Sequence, residues 1–388
     1  MLDHRSVRSF RTRFAAALVG AAATVGVANA QWTVTPLEPA GANQSQGRGV
    51  GPGQQVGYSR FTSPSAHWRA SLWNGSAASW TDLHPIGQPG APDNMSSYAM
   101  KTDGVQQVGT VSGTGVLSHA ALWSGTAASF VNLNPAGATV SFANDVQNGV
   151  QVGRAQVAGM YRASLWTGSA ASWTDLHPSA YAGGSALSTI DGAQQGGWAF
   201  PVSGGPAHAG LWTGTAASFV DLHPPDALPT DISSVQGMHL GQQVGDVGPI
   251  NGFHAALWTG TAASHIDLNP TGSIESMATA VFNGVQVGYA DFSAGSRAGY
   301  WTGTADSFVN LHDTLPSGPL WISSIARDVW DDGTTRYIIG YATEFVIPNG
   351  AQLQHAFLWT QPVPEPATAA LLSMAGLLVL RRRRRQSV

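Results

Sequence analysis

One phrase recurs along this chain, and it constrains the fold more than any other feature. ASLWNGSAASWTDLHP occupies residues 70–85, and ALWSGTAASFVNLNP, ASLWTGSAASWTDLHP, GLWTGTAASFVDLHP, ALWTGTAASHIDLNP and GYWTGTADSFVNLH follow it. Their tryptophans are Trp73, Trp123, Trp166, Trp212, Trp258 and Trp301, and a shortened seventh copy ends at Trp359. The successive spacings are 50, 43, 46, 46, 43 and 58 residues, a period that signals a propeller, solenoid or array. One copy cannot bury its own apolar face, so the copies must pack against one another.

Each period holds four strand-like segments. A Gln-x-Val-Gly segment, such as 54–57, 106–109, 242–245 and 286–288, precedes each tryptophan segment. Asp103-Gly104, Asn148-Gly149, Asp191-Gly192, Asn283-Gly284 and Asp332-Gly333 lie just before the Gln-x-Val-Gly segments and predict two-residue type I′ hairpins. After the tryptophan, Thr-Gly-Thr-Ala-Ala-Ser leads into an alternating Phe-Val-Asp-Leu segment closed by His-Pro or Asn-Pro, and proline cannot donate to a ladder. The remaining segment is rich in small residues, which suits the crowded axis of a ring. The tryptophans and leucines are then expected to pack between blades, each burial contributing about 1.5–3 kcal/mol.

Four antiparallel strands in each of seven units predict an all-β fold, a seven-bladed β-propeller. The phase of the chain supports closure. Residues 32–39 read as a fourth strand lacking the other three, and residues 357–359 end a third strand lacking a fourth. Together they complete one blade and remove a free edge.

The ends carry a different signal. Arg5, Arg8, Arg11 and Arg13 precede an apolar stretch over 14–27, and Ala28-Asn29-Ala30 offers a small-x-small cleavage site, so residues 1–30 are expected to form a helical export leader. Residues 31–361 are the expected propeller, and 362–388 a tail in which Pro364-Glu365-Pro366 is followed by an apolar helix over 367–380 and by Arg381, Arg382, Arg383, Arg384 and Arg385. Fourteen apolar residues make a short span, and the arginines would hold its end on the cytoplasmic side of the inner membrane.

This tail resembles the PEP-CTERM sorting signal of Gram-negative bacteria. The resemblance implies an exosortase-type processing protease as a partner, delivery to the cell surface, and a place beside secreted polysaccharide in a biofilm matrix. The repeats resemble the HAF extracellular repeat of bacterial surface proteins, most clearly at His355-Ala356-Phe357-Leu358-Trp359, although Asp-Leu here runs into His-Pro or Asn-Pro where that family has glycine. Neither resemblance implies a particular reaction.

Between 31 and 361 nine basic residues face twenty acidic ones, a net −11, which disfavours nucleic acid as a partner. Cysteine is absent, so the exported body relies on its core. The sequence shows no cysteine nucleophile, Gly-x-Ser-x-Gly elbow, phosphate loop, zinc signature or cofactor motif. His84, His177, His223 and His312 recur once per unit, as do His119, His208, His254 and His355, so neither set can converge on one ion, and both read as structural. Asp328, Asp331 and Asp332 lack the alternating oxygens of an EF-hand loop and read as an acidic turn.

A functional site must break the sevenfold equivalence. Units one and seven, neighbours after closure, carry Trp68, Trp321 and Trp330, a candidate aromatic surface for carbohydrate. The expected role is therefore non-enzymatic, an interaction or structural module of the cell surface or matrix. The alternative is a secreted polysaccharide lyase or glycosidase at the channel mouth, which requires unique charged groups to converge. Arg48, Lys101, Asp145, Arg327 and Asp328, all on first strands, are the candidates.

Overall fold

A computed structural model describes residues 31–62, 67–92, 95–114 and 116–363. The expected leader helix, the apolar tail helix and the sorting residues Pro364, Glu365, Pro366, Arg381, Arg382 and Arg383 lie outside the described residues. Among the described residues no helix is long and apolar enough to cross a membrane.

The chain forms seven four-stranded antiparallel sheets. The first strands of blades one to seven are Ala42–Gly51, Ser96–Thr102, Ala138–Gln147, Ser185–Asp191, Ile232–His239, Glu275–Phe282 and Trp321–Asp331. Each packs against the next, and the seventh packs against the first, so the ring is closed as the sequence predicts. The clasp is the predicted one: Thr33–Pro36 pairs antiparallel with Ala351–Pro362, Val34 opposite Trp359. Leu37 N–H then donates to Ala356 O at 2.9 Å, as Leu83 N–H donates to Ala70 O in blade one.

The repeated phrase now has a physical reading. All seven tryptophans are fully buried, and Trp123 packs among Val56, Leu72 and Leu83 of the preceding blade. In blades one to six the glutamine two residues before the motif glycine crosses the sheet to the turn after the tryptophan. Gln55, Gln107, Gln151, Gln195, Gln243 and Gln286 each accept through Oε1 the N–H of that turn's glycine, at 2.6–2.8 Å. The Ala-Ala-Ser of the turn forms a single 3₁₀ turn, and the fourth strand shrinks to two residues, such as Thr81–Asp82. A short outer strand leaves little edge for another chain to pair with.

Blades are latched in series through one serine each. Ala70 N–H donates to Ser97 Oγ of the next blade at 2.9 Å, and His84 Nδ1 lies 2.7 Å from the same oxygen. The arrangement repeats at Ser185 with His177, Ser233 with His223 and Ser324 with His312. Asn134 and Asn269 take the histidine's place, each accepting from the serine hydroxyl at 2.7 and 2.6 Å. The second histidine set pairs within its own blade, as His208 does with Asp221 and His254 with Asp267, both at 2.8 Å. Arg69 and Arg162 do the same with Asp82 and Asp175.

The hairpins follow expectation only in part. Asn148-Gly149 and Asn283-Gly284 adopt positive φ at both residues, the type I′ geometry. At Asp103, Asp191 and Asp332 only the glycine does. At two of these the carboxylate supplies the turn: Asp103 Oδ1 accepts Val105 and Gln106 N–H, and Asp332 Oδ1 accepts Thr334 and Thr335 N–H, whereas Asp191 accepts from Gln147 Nε2–H and Leu240 N–H of other blades. The turn bonds pull the Asp332 carboxyl down to about 2.

Candidate ligand site in the axial channel

Every first strand carries, along its middle, one unpaired residue where its register against the second strand slips, and blades one, three and seven slip once more near the strand start, at Asn43, Thr139 and Ile322. The mid-strand slips fall between Gly47 and Gly49, Ala99 and Lys101, Ala143 and Asp145, Leu187 and Thr189, Val235 and Gly237, Ala278 and Ala280, and Ala326 and Asp328. A β-bulge of this kind re-aims a side chain and often sits beside a functional site. The seven mid-strand bulged residues are Arg48, Met100, Asn144, Ser188, Gln236, Thr279 and Arg327, and all seven line one cavity of about 290 Å³ on the axis. Seven equivalent positions thus present six different side chains to one space, arginine twice.

Arg154 and Trp198 complete this chamber from second strands. The three guanidiniums are seated on aromatic rings. Arg154 lies 4.5 Å from the Phe142 centroid and 5.0 Å from that of Tyr161, and Arg327 lies 5.5 Å from that of Tyr341, whose hydroxyl accepts its Nη2–H at 3.1 Å. Arg48 lies 6.0 Å from the Tyr58 centroid. Such stacking orients a guanidinium without neutralising it. Among the described residues, none of the three forms an ion pair with a carboxylate. The Nε atoms of Arg154 and Arg327 are buried and have no hydrogen-bond partner. Burial, and then the nearby charge of Arg327, holds the Arg48 guanidinium below its ordinary pKa, and burial does the same to Arg154.

A second cavity of about 260 Å³ shares Lys101 with the first and opens among the inner hairpins. Here the residues just past the bulges meet. Lys101 Nζ lies 2.5 Å from Asp328 Oδ1, while Asp328 Oδ2 accepts Val50 N–H at 2.9 Å. Asp145 accepts Ile190 N–H of the next blade at 3.0 Å and Val146 N–H at 2.8 Å. Burial pushes the Asp145 carboxyl up to about 6, and the charge of Lys101 draws it partly back.

The structure therefore gathers Arg48, Lys101, Asp145, Arg327 and Asp328 along the axis. It does not gather the three tryptophans. Trp321 and Trp330 sit near opposite ends of one strand, nine residues and roughly 30 Å apart, so they face opposite ends of the ring. Trp321 packs edge-on against His355 and Phe357 and donates Nε1–H to Pro316 O at 2.9 Å. Trp330 stacks on Tyr337 beside the hairpin mouth, and Trp68 packs edge-on against Tyr58 in blade one. Sequence reasoning missed Arg154 and Trp198, which directly follow the motif glycines Gly153 and Gly197. The corresponding positions elsewhere hold Tyr58, Thr110, Asp246, Tyr289 and Tyr341, and that variation within an otherwise regular repeat was the available signal. The acidic turn has no shared focus: Asp328 is committed to Lys101, Asp331 to Asn283 and Gly333, and Asp332 to its own turn.

Fold and channel define the class, a closed seven-bladed β-propeller with an asymmetric, ionisable axial cavity. No protein-family model matches the sequence, and no curated protein matches it. Among solved structures it is similar to a puromycin hydrolase, at 12% identity and a TM-score of 0.54, covering 82% of this chain and 55% of that one. It is also similar to a Mycobacterium tuberculosis puromycin-hydrolyzing peptidase, at 12% identity and a TM-score of 0.52, covering 82% and 54%. The chain spans about half the length of these structures, and at this identity the likeness shows the fold alone. It nevertheless corrects the expectation of a non-enzymatic chain. Proteins sharing this fold include hydrolases, so the propeller does not mark a chain as catalytically inert, and the charged groups that an enzyme requires do converge here.

Proposed function

We propose that the protein is an exported β-propeller, held or processed at the cell surface through its PEP-CTERM-like tail by an exosortase-type protease, which binds extracellular polysaccharide in its axial channel. The leader and tail sequences support the location, and the HAF-like repeats agree with it. The channel reading rests on one observation: seven equivalent bulges present six different side chains, with only arginine used twice, a loss of symmetry that packing alone does not require. A mostly polar chamber with the Trp198 indole in its wall suits a sugar ring, which offers hydroxyls at its edge and C–H groups on its faces. Binding of the full-length chain to immobilised polysaccharides tests this. Retention that is lost in Trp198→Ala supports the channel, and retention unchanged by that substitution removes it.

A second reading, a polysaccharide lyase or glycosidase, is favoured by the meeting of Lys101, Asp145 and Asp328. A carboxyl poised near 6 can hold or release a proton at neutral pH. Release of new reducing ends from a bound polysaccharide, abolished in Asp145→Asn, is the expected outcome of this reading. Binding without product over prolonged incubation contradicts it.

A further inference from the structure

We infer that the chamber walled by Arg48, Arg154 and Arg327 is selective for an acidic sugar residue, a uronate, free or at the end of a chain. The inference rests on the channel being the polysaccharide site, and it deepens that reading.

Three cations converge in a body whose net charge is −11. Each is held by aromatic rings rather than by a carboxylate. The Nε donors of Arg154 and Arg327 stand buried and unpaired, and an unmade buried hydrogen bond is costly unless something arrives to make it. A planar guanidinium presents paired N–H groups that match the two oxygens of a carboxylate. An inorganic anion would meet that need but would use only the guanidiniums, whereas the same wall also carries Ser188, the Trp198 indole, and Asn144 and Gln236, whose amide N–H groups are given to Leu187 O and Ser234 Oγ and whose amide oxygens remain as acceptors. A sugar acid engages both sets. Gln236 is already oriented for such a role, donating Nε2–H to Ser234 Oγ at 2.8 Å, which in turn donates to Asp246. A volume of about 290 Å³ lies at the small end of ligand pockets, which fits one sugar residue with part of its neighbour rather than a threaded chain.

The test is calorimetric titration of the full-length chain with a galacturonate oligomer, its carboxyl-reduced counterpart, and inorganic phosphate. The account expects the oligomer to bind, the reduced form to bind at least about ten-fold more weakly, and phosphate not to compete at equal concentration. Arg327→Gln should weaken the acidic oligomer by a similar factor and the reduced form by clearly less. Arg154→Lys keeps the charge, loses the fork, and should fall between. An unchanged thermal midpoint establishes that each variant folds, and Arg154→Lys serves alone if Arg327→Gln does not. Equal binding of the acidic and reduced oligomers overturns the inference while leaving the channel as the polysaccharide site. Phosphate as tight as the oligomer reduces the chamber to a plain anion site. Failure of both oligomers to bind overturns the inference and the channel reading together.

Discussion

Lys101 of blade two and Asp328 of blade seven meet 2.5 Å apart, although blade one stands between them. They can do so because blade one places Gly49 at that level. A Cβ there would lie 2.8 Å from the Lys101 Cα. The pair thus ties the blades on either side of blade one, and its lysine lines both axial cavities.

Removing one partner leaves a buried charge alone. Lys101→Met should cost about 2–3 kcal/mol, less than a fully enclosed pair because the lysine keeps 19% of its side-chain surface exposed. It should also raise the Asp145 carboxyl further above its value of about 6, since the Lys101 charge now draws it down. Chemical denaturation reads the first effect, and carboxyl NMR titration the second. An Asp145 titration that does not move contradicts the proposed proximity.

The motif glycines answer to the bulges. A Cβ on Gly153 would lie 1.9 Å from Phe142 O, and the same clash recurs at Gly57, Gly109, Gly197, Gly245, Gly288 and Gly340 at no more than 2.0 Å. Each faces the stretch where the first strand slips register. Gly153→Ala should therefore destabilise by about 3 kcal/mol or more, because backbone rather than a movable side chain occupies the space. A loss below about 1 kcal/mol would show that the bulge is not fixed.

The serine latch predicts a repeated cost. Ser97→Ala deprives the Ala70 N–H and His84 of their shared oxygen inside a buried joint. About 1–3 kcal/mol should be lost, and Ser233→Ala should cost a similar amount at the equivalent joint. Urea unfolding midpoints of the two variants measure it.

Acid sensitivity follows from the same joints. Burial holds the His84 pKa down to about 4, outweighing the pull of Asp82. In the unfolded chain it takes its proton near the ordinary value of 6.5, so between those two pH values the unfolded state binds more protons and stability falls as pH falls. Burial lowers His177, His223 and His312 in the same direction. Asp145 and Asp246, both raised to about 6 by burial, oppose the trend below that pH. The clean readout is therefore a difference: His84→Asn, which copies the joints at Asn134 and Asn269, should lose on the order of 1–3 kcal/mol less than the parent between pH 6.5 and pH 4. Parallel melting curves for the two proteins would contradict this.

The architecture was legible because it is written seven times. Period, strand count and the complementary ends around Val34 and Trp359 all follow from the sequence, and the structure has them. The site was harder to read because one extra residue per first strand moves a side chain from one face to the other without disturbing a pattern of small residues. Arg48 and Arg327 could be placed on first strands, but not recognised as bulged and facing the axis. Arg154 and Trp198 lie on second strands, where the position after the motif glycine varies from blade to blade and no periodic pattern marks it as axial. Trp330 is set apart from Trp321 for a simpler reason. Neighbouring blades do not bring residues together when one of the residues lies at the other end of a strand that traverses the ring.

The account stands on ligand occupying the channel rather than the outer surface. A crystal structure of the full-length protein grown with a galacturonate oligomer tests this directly. The prediction is a sugar ring on the axis with its carboxylate among Arg48, Arg154 and Arg327 and a face against Trp198. Density at an outer blade surface such as Trp68 or Trp321, with an empty channel, would contradict it.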